Sequence, residues 1–247
     1  MSIVKRYFIE LAFNGSKYHG WQKQDNALSV QQVLNTAMTV LLRHNVETIG
    51  CGRTDTGVHA IQLYAHFDTM NLDESRFLKS LNSLLPYDIA VKRLISVDPK
   101  AHARFDALNR TYQYHIHFEK DPFKYGFSWL IRDVPDIELM NLAALVMMEY
   151  SDFSCFSKSN TQTVTNNCII NRAEWEKSES GLIFNISADR FLRNMVRAIV
   201  GTLISIGLKE INIEDLRKII ESKNRSAAGA SVPACGLYLT EVVYPYI

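Results

Sequence analysis

The first structural element is predicted by Tyr7-Phe8-Ile9-Glu10-Leu11-Ala12-Phe13, a run of aromatic and branched residues that is typical of a β-strand. A helix is predicted after it, over Val30 to Arg43, because the apolar residues there recur with the helical period. Ser29 precedes this stripe and Gln32 follows three residues later, which is the spacing of a capping box. The chain therefore begins with a strand and a helix.

The same patterns continue in both directions along the chain. Further strands are predicted at 63–67, 89–97, 110–118, 172–177, 182–188 and 237–244, and further helices near 77–85, 137–149, 191–206 and 214–221. The order is β-α-β-α-β and then β-α-β-β-α-α-β, which indicates an α+β fold made of two α/β halves. We expect an N-terminal domain over 1–105 and a C-terminal domain over 106–247.

Composition excludes several classes of protein. The 247 residues are 47% hydrophobic and carry 27 basic against 26 acidic groups, which excludes a mainly disordered chain. No stretch approaches the roughly 18–20 apolar residues of a membrane helix, and the N-terminus has no signal-peptide pattern, so we expect a cytoplasmic protein without a membrane partner. The four cysteines form no CxxC pair, which argues against a zinc ribbon and a thioredoxin motif. Four scattered thiols in a chain of this length fit a reducing compartment, which argues against a disulfide scaffold.

A glycine-rich segment contains the best candidate for a catalytic carboxylate. In Gly50-Cys51-Gly52-Arg53-Thr54-Asp55-Thr56-Gly57, glycines that permit a tight backbone path surround a single carboxylate. Arg53 lies two positions before Asp55, and a neighbouring guanidinium favours the ionised form that a nucleophile or a base needs. The composition fits a purely structural connection with an Asx turn equally well. The segment lacks the spacing and the lysine of a phosphate-binding loop.

Arginines mark a second candidate region. If residues 190–205 are helical, Arg190, Arg193 and Arg197 share one narrow polar sector, while apolar residues fill the rest of the surface. Arginines without an acid beside them suit the recognition of phosphate or carboxylate groups. A stripe that simply faces solvent is the alternative.

Aromatic and cationic residues alternate in two further segments. His102-Ala103-Arg104-Phe105-Asp106, followed by Arg110-Thr111-Tyr112-Gln113-Tyr114, has the composition of surfaces that stack nucleobases. Ordinary strand chemistry is the alternative, because tyrosine is a good strand residue. Lys17-Tyr18-His19-Gly20-Trp21-Gln22-Lys23-Gln24 has a similar composition, and we expect it to form an exposed loop.

Other site classes find little support. His115 and His117 share one strand face, but no third ligand stands at metal-binding spacing, so we expect no metal. Neither G-x-S-x-G nor G-x-G-x-x-G occurs in the required context, so neither a serine hydrolase nor a dinucleotide-binding fold is indicated.

Taken together, these segments resemble the TruA family of tRNA pseudouridine synthases. The resemblance covers residues 18–239. It lies in the glycine-rich segment that contains Asp55, which extends to Ala60, and in five further regions. These regions are Tyr18-His19-Gly20-Trp21-Gln22, His102-Ala103-Arg104-Phe105, Arg110-Thr111-Tyr112-Gln113-Tyr114, Met195 to Gly201, and Gly236-Leu237-Tyr238-Leu239.

The resemblance implies an isomerase that converts uridine to pseudouridine in the anticodon stem-loop of tRNA, at positions 38 to 40. It implies mainly antiparallel sheets joined around a central catalytic cleft, and a homodimer whose subunits both contact one tRNA. Asp55 matches the catalytic aspartate and Tyr112 the tyrosine that stacks on the target base. Arg53 lies in the catalytic loop, Arg197 matches the arginine paired with the carboxylate, and Leu237 matches a leucine of the uracil pocket.

The reaction gains no atoms and oxidises nothing, so we expect no cofactor. We expect the tRNA to be contacted by Lys17, His19, Gln22, Arg104, Arg110, Arg190 and Arg193. Two alternatives are a non-catalytic RNA-binding protein and an enzyme acting on a free nucleoside or nucleotide.

The net charge of +1 does not contradict an RNA partner. Segments 50–60, 100–114, 189–203 and 225–238 carry eight basic and three acidic groups, whereas the rest of the chain carries 19 basic and 23 acidic groups. The motif segments are therefore basic although the whole chain is nearly neutral, and we expect tRNA binding to weaken as salt is added.

Overall fold

The structure is a computed structural model that describes residues 4–158 and 165–247. Its strands are β1 (Val4–Phe13), β2 (Ile49–Gly50), β3 (His59–Met70), β4 (Ile89–Val97), β5 (Asn109–His117), β6 (Trp129–Leu130), β7 (Ile170–Ser178), β8 (Gly181–Ala188) and β9 (Leu237–Val243). Its α-helices are α1 (Val30–Leu42), α2 (Glu74–Leu84), α3 (Ile137–Met147), α4 (Met195–Gly207) and α5 (Ile213–Ser222). The predicted α+β class is confirmed.

The chain separates into two compact units. Unit 1 extends to Leu108 and also contains Leu239–Ile247, and unit 2 is Asn109–Tyr238. The last nine residues, which the sequence assigns to the second half, thus belong to unit 1. The division into domains at 1–105 and 106–247 stays a prediction.

Unit 1 is built on strands in the order β4-β1-β3-β9. β1 pairs antiparallel with both β4 and β3, and the short strand β2 also pairs antiparallel with β3. Five consecutive residues of β1, from Tyr7 to Leu11, are buried, so this central strand is covered on both faces. On one face Phe67 of β3 stacks with Phe77 of α2, with 6.3 Å between the ring centroids. α1 begins at the predicted cap, where Ser29 Oγ accepts a hydrogen bond from the backbone N–H of Gln32.

Unit 2 is built on antiparallel strands in the order β5-β8-β7, with the short strand β6 parallel to β5. The side chain of Asn141 on α3 exchanges two hydrogen bonds with the backbone of Trp175 on β7, at 2.7 and 3.1 Å. These bonds fix α3 on the sheet. α4 is buried along most of its length, as its apolar sequence predicts.

One predicted boundary is wrong, and it affects the arginine region. The sequence predicts a helix from Phe191, whereas α4 begins at Met195. Asn194 has a left-handed backbone with φ 68°, which a continuing α-helix does not allow. Arg190 and Arg193 therefore precede the helix, and the predicted arginine stripe along one helix does not form. The two-residue strands β2 and β6 were not predicted, because strands so short show no periodicity.

Within residues 4–158 and 165–247, none of the helices has both the length and the apolar content that spanning a bilayer requires.

Candidate active site

Asp55 lies in a loop between two strands of unit 1. This Asp55 loop, residues 51–58, leaves β2 and enters β3, and its residues belong to no helix or strand. Its first residue is fixed by a hydrogen bond from Cys51 N to Tyr64 O of 2.7 Å, and its last by one from Val58 N to Asp55 O of 3.2 Å. Asp55 is half-buried and Arg53 is exposed. The carboxylate is thus within reach of solvent on a loop that is hydrogen-bonded to β3 at its start and closed by an internal turn at its end.

The segment 14–22 supports the Asp55 loop through close backbone contacts. A Cβ on Gly20 would lie 2.1 Å from Thr54 O, and one on Gly15 would lie 1.9 Å from Val58 O. Gly20 also has φ +80°, which side chains rarely adopt. Thr54 Oγ1 accepts a hydrogen bond of 3.0 Å from the backbone N–H of Trp21. Two motifs of the family resemblance therefore pack on each other.

The expectation of an exposed aromatic loop at 17–24 is wrong for its two rings. Tyr18 is 4% exposed and Trp21 is fully buried. The Tyr18 hydroxyl donates a 2.6 Å hydrogen bond to Asp88 Oδ1, and burial together with this carboxylate raises the tyrosine pKa above its ordinary value. These rings stabilise the segment, and its exposed part consists of polar side chains.

The three polar residues of this segment that we predict to contact RNA are all exposed: Lys17, His19 and Gln22. The Lys17 ammonium lies 3.6 Å from Asp88 Oδ2, and Gln22 Nε2 donates to Gln31 Oε1 at 2.8 Å. The segment thus presents a cation, an imidazole and an amide on the support of the Asp55 loop.

Arg104 is the remaining predicted RNA contact of unit 1. It is exposed on the turn between β4 and β5, and its guanidinium carbon lies 5.8 Å from the centroid of the Phe105 ring.

In unit 2, Tyr112 lies on β5 opposite Ile186 of β8 and is half-buried. Its ring meets the ring of Phe191 edge to face, with 5.1 Å between the centroids. Arg110, two residues earlier on the same strand, donates a 2.7 Å hydrogen bond from Nη1 to Asp189 O. The predicted stacking tyrosine is therefore held from the side by a second aromatic ring.

Arg197 lies in the first turn of α4 and is held by the α5–β9 connection, residues 224–236. Arg197 Nε donates to Val232 O at 2.7 Å, and Val232 N donates back to Arg197 O at 3.3 Å. The side-chain amide of Asn194, the residue with the left-handed backbone, donates to Ser231 Oγ. These three bonds join the start of α4 to this connection.

Arg225 organises the same connection and was not predicted as a site residue. Its guanidinium donates to Gly229 O at 3.2 Å and to Ser231 Oγ at 2.9 Å, with a longer bond of 3.4 Å to Ala228 O. A Cβ on Gly201 of α4 would lie only 2.1 Å from Ala230 O, so helix and connection are in close contact. The arginine content of 225–238 was the available signal, but the sequence does not show that Arg225 turns back on its own backbone.

The remaining residues of unit 2 that we predict to belong to the site are Arg190, Arg193 and Leu237. Arg190 is half-buried beside Asp189, whose Oδ1 accepts the Arg190 backbone N–H at 2.8 Å, and Arg193 is exposed. Leu237 is buried at the first position of β9. Among the described residues, no three His, Cys, Asp or Glu side chains form a cluster that could hold a metal.

Comparison with known proteins defines the class. The profile of a family described as tRNA pseudouridine synthase matches residues 11–106 and 150–245. The chain therefore belongs to the tRNA pseudouridine synthase family, and it is an isomerase. This confirms the family resemblance found in the sequence.

Individual relatives match over nearly the whole chain. A protein named tRNA pseudouridine synthase A from Bacteroides fragilis is 50% identical over 245 residues, covering 98% of this chain and 97% of its own. The protein of the same name from Porphyromonas gingivalis is 49% identical, covering 98% of this chain and 98% of its own. The one from Treponema denticola is 38% identical, covering 98% of this chain and 93% of its own.

Proposed function

We propose that this protein converts uridine to pseudouridine in the anticodon stem-loop of tRNA, at positions 38, 39 or 40, with Asp55 as the catalytic carboxylate. The observation that carries the proposal is the placement of Asp55. It is the single carboxylate of the segment 50–60, it is accessible, and backbone contacts at glycines hold its loop. The relatives are named for tRNA pseudouridine synthesis, and the tRNA positions come from the family resemblance.

The chemistry requires one well-placed carboxylate. The bond from ribose C1′ to uracil N1 breaks, the base rotates, and C1′ bonds to C5. C5 then loses its proton and N1 gains one, so that product and substrate have the same composition. A carboxylate can attack the sugar or the base covalently, or it can remove a ribose proton. Asp55 fits each of these routes.

Residues of unit 2 complete the proposed reaction. The target base must leave its stack, which costs a few kcal/mol. Stacking on Tyr112 restores about 1–3 kcal/mol, and the edge contact with Phe191 fixes the orientation of that ring. We assign Arg197 to keeping the Asp55 carboxylate ionised and oriented, and Leu237 to the apolar wall of the uracil pocket. From unit 1, we assign Arg53 to the substrate side of the Asp55 loop.

The tRNA itself would be held by side chains of two of the basic motif segments, 100–114 and 189–203, and of the segment 17–22. Five of the seven proposed contacts are exposed: Lys17, His19, Gln22, Arg104 and Arg193. Arg110 and Arg190 are half-buried, and the Arg110 guanidinium already donates a hydrogen bond to Asp189 O. We therefore assign these two arginines to the positive potential that attracts the RNA, and not to flexible direct contacts.

The assembly and the location are also part of the proposal. We infer a cytoplasmic homodimer in which both subunits contact one tRNA, as the family resemblance implies. Light scattering at micromolar concentration tests the dimer: a native mass near twice 28.2 kDa is expected, and a mass near 28.2 kDa contradicts it.

Mapping of pseudouridine in unmodified tRNA after incubation with the protein tests the reaction. New pseudouridine confined to positions 38, 39 and 40 is expected. Binding without isomerisation would instead indicate a non-catalytic RNA-binding protein. Turnover of free uridine or of its monophosphate would indicate a nucleoside enzyme.

A further inference from the structure

The turn between β4 and β5 exposes an aromatic ring beside a guanidinium. Phe105 is 75% exposed, although large apolar side chains are usually withdrawn from water. The Arg104 guanidinium carbon lies 5.8 Å from the centroid of this ring, within the range of a cation–π contact. The ring and the cation thus form one composite surface on unit 1.

The backbone under this surface is fixed by its own hydrogen bonds. His102 Nδ1 accepts from the backbone N–H groups of Arg104 and Phe105 at 3.1 and 3.3 Å. Asp106 Oδ2 accepts from His102 N at 2.7 Å and from the hydroxyl of Tyr246 at 2.9 Å. Because the turn is already ordered, a partner that binds the ring does not have to order it.

A line of rings connects Phe105 to the core of unit 1. The Phe105 and His102 centroids are 4.2 Å apart, those of His102 and His66 are 4.6 Å apart, and those of His66 and Phe8 are 6.1 Å apart. His66 and Phe8 are both buried. Burial lowers the pKa of His66 to about 4, and its neutral Nδ1 accepts a hydrogen bond from Ala103 N at 3.1 Å. The exposed ring is therefore the outer end of a rigid aromatic series.

We propose that Phe105, together with Arg104, is a stacking platform for an unpaired base of the tRNA. The inference rests on the proposed function, which supplies the tRNA. An aromatic face stacks on any base, and a guanidinium adds attraction for the base and its phosphate.

The arginine beside the ring favours RNA over a protein partner. Lys100 and Arg104 are exposed cations, whereas the two carboxylates of the turn accept backbone hydrogen bonds, Asp98 from Lys100 N at 2.8 Å and Asp106 from His102 N at 2.7 Å. The contrast is Phe123 in unit 2, which is 90% exposed between residues of opposite charge, Asp121 and Lys124, that lie 3.9 Å apart. Phe123 thus provides a control of comparable exposure whose neighbouring charges form an ion pair with each other.

Single-turnover kinetics with unmodified tRNA test the platform in the full-length protein. Phe105→Ala is expected to raise the tRNA concentration at half-maximal rate by about 5- to 150-fold, the range for the loss of one stacked base. The rate at saturating tRNA should change much less. Phe105→Trp should restore tight binding, and Phe123→Ala should bind as the unsubstituted protein does.

Three results would overturn the platform. One is unchanged affinity in Phe105→Ala, and another is equal weakening in Phe105→Ala and Phe123→Ala. The third is a change of native mass in Phe105→Ala, which would show that the ring docks on a second copy of the chain. Direct tRNA binding by filter retention separates this outcome from failure of the proposed function, because binding can depend on Phe105 even if no pseudouridine forms.

Discussion

The Asp55 loop of unit 1 and the α5–β9 connection of unit 2 are positioned by different means. The Asp55 loop is supported mainly by backbone, at places such as Gly20 where a neighbouring carbonyl occupies the space of a side chain. The connection also approaches a helix closely, at Gly201, but side chains tie it down as well. Asn194 and Arg197 donate hydrogen bonds to it, and Arg225 donates to another residue within it.

The difference indicates which substitutions each region will not tolerate. A region shaped by missing side chains is sensitive to an added methyl group. A region held by side-chain hydrogen-bond donors is sensitive to their removal, because partly buried acceptors then lose their hydrogen bonds. The two kinds of substitution therefore probe the two regions separately.

The largest effect on stability is expected for Gly20→Ala. The new Cβ would lie 2.1 Å from Thr54 O, and the residue would have to keep φ +80°. The two penalties together are about 2–4 kcal/mol, and displacement of Thr54 should also reduce turnover because Asp55 is the next residue. Thermal unfolding should show a midpoint lowered by roughly 4–16 °C.

Gly52→Ala is the matched control in the same loop. A Cβ there would have nothing within 4 Å, so its unfolding midpoint should equal that of the unsubstituted protein within experimental error. Equal destabilisation by both substitutions would show that the loop is not held by contacts at particular glycines.

Two substitutions of Tyr112 distinguish contact with the substrate from structural support of the site in unit 2. Tyr112→Ala should reduce kcat/KM for tRNA by about 5- to 150-fold, since the stacking face is lost. Tyr112→Phe should show a milder loss, because it keeps the ring that meets Phe191. A larger loss in Tyr112→Phe than in Tyr112→Ala would point to acid–base work by the phenol.

A smaller effect is expected when the support of Arg197 is weakened. Arg225→Gln removes the guanidinium that donates to Gly229 O and to Ser231 Oγ. We expect kcat to fall about tenfold, as the loss of charged hydrogen bonds worth roughly 1.5 kcal/mol would give, with KM for tRNA nearly unchanged.

Arg172→Ala is the control for this substitution, because the Arg172 guanidinium pairs with Glu174 and Glu176 of its own strand, β7. Arg225→Lys should recover part of the rate. A rise in KM at constant kcat would place Arg225 in tRNA binding and remove it from the support of Arg197.

The sequence predicts the parts of the fold that local patterns determine. α1 with its Ser29 cap, strand β4 and the β7–β8 hairpin follow directly from periodicity and turn residues. The start of α4 does not, because the left-handed backbone of Asn194 accompanies a hydrogen bond to Ser231, 37 residues later. No local pattern contains that contact.

The candidate site likewise contains residues that local sequence patterns predict and residues whose roles depend on distant contacts. Asp55 stands out by itself as the carboxylate of a glycine-rich segment. The burial of Tyr18 could not be predicted, since its partner Asp88 is 70 residues away. The supporting role of Arg225 depends likewise on the path of the backbone around it.

The central claim is that Asp55 performs the isomerisation. The most direct measurement compares Asp55→Asn with the unsubstituted protein in pseudouridine formation and in tRNA binding. We predict that the rate of pseudouridine formation falls at least about a thousandfold, as for loss of a nucleophile or base, while the Kd for tRNA stays within about threefold. A rate within tenfold of the unsubstituted protein would contradict the account.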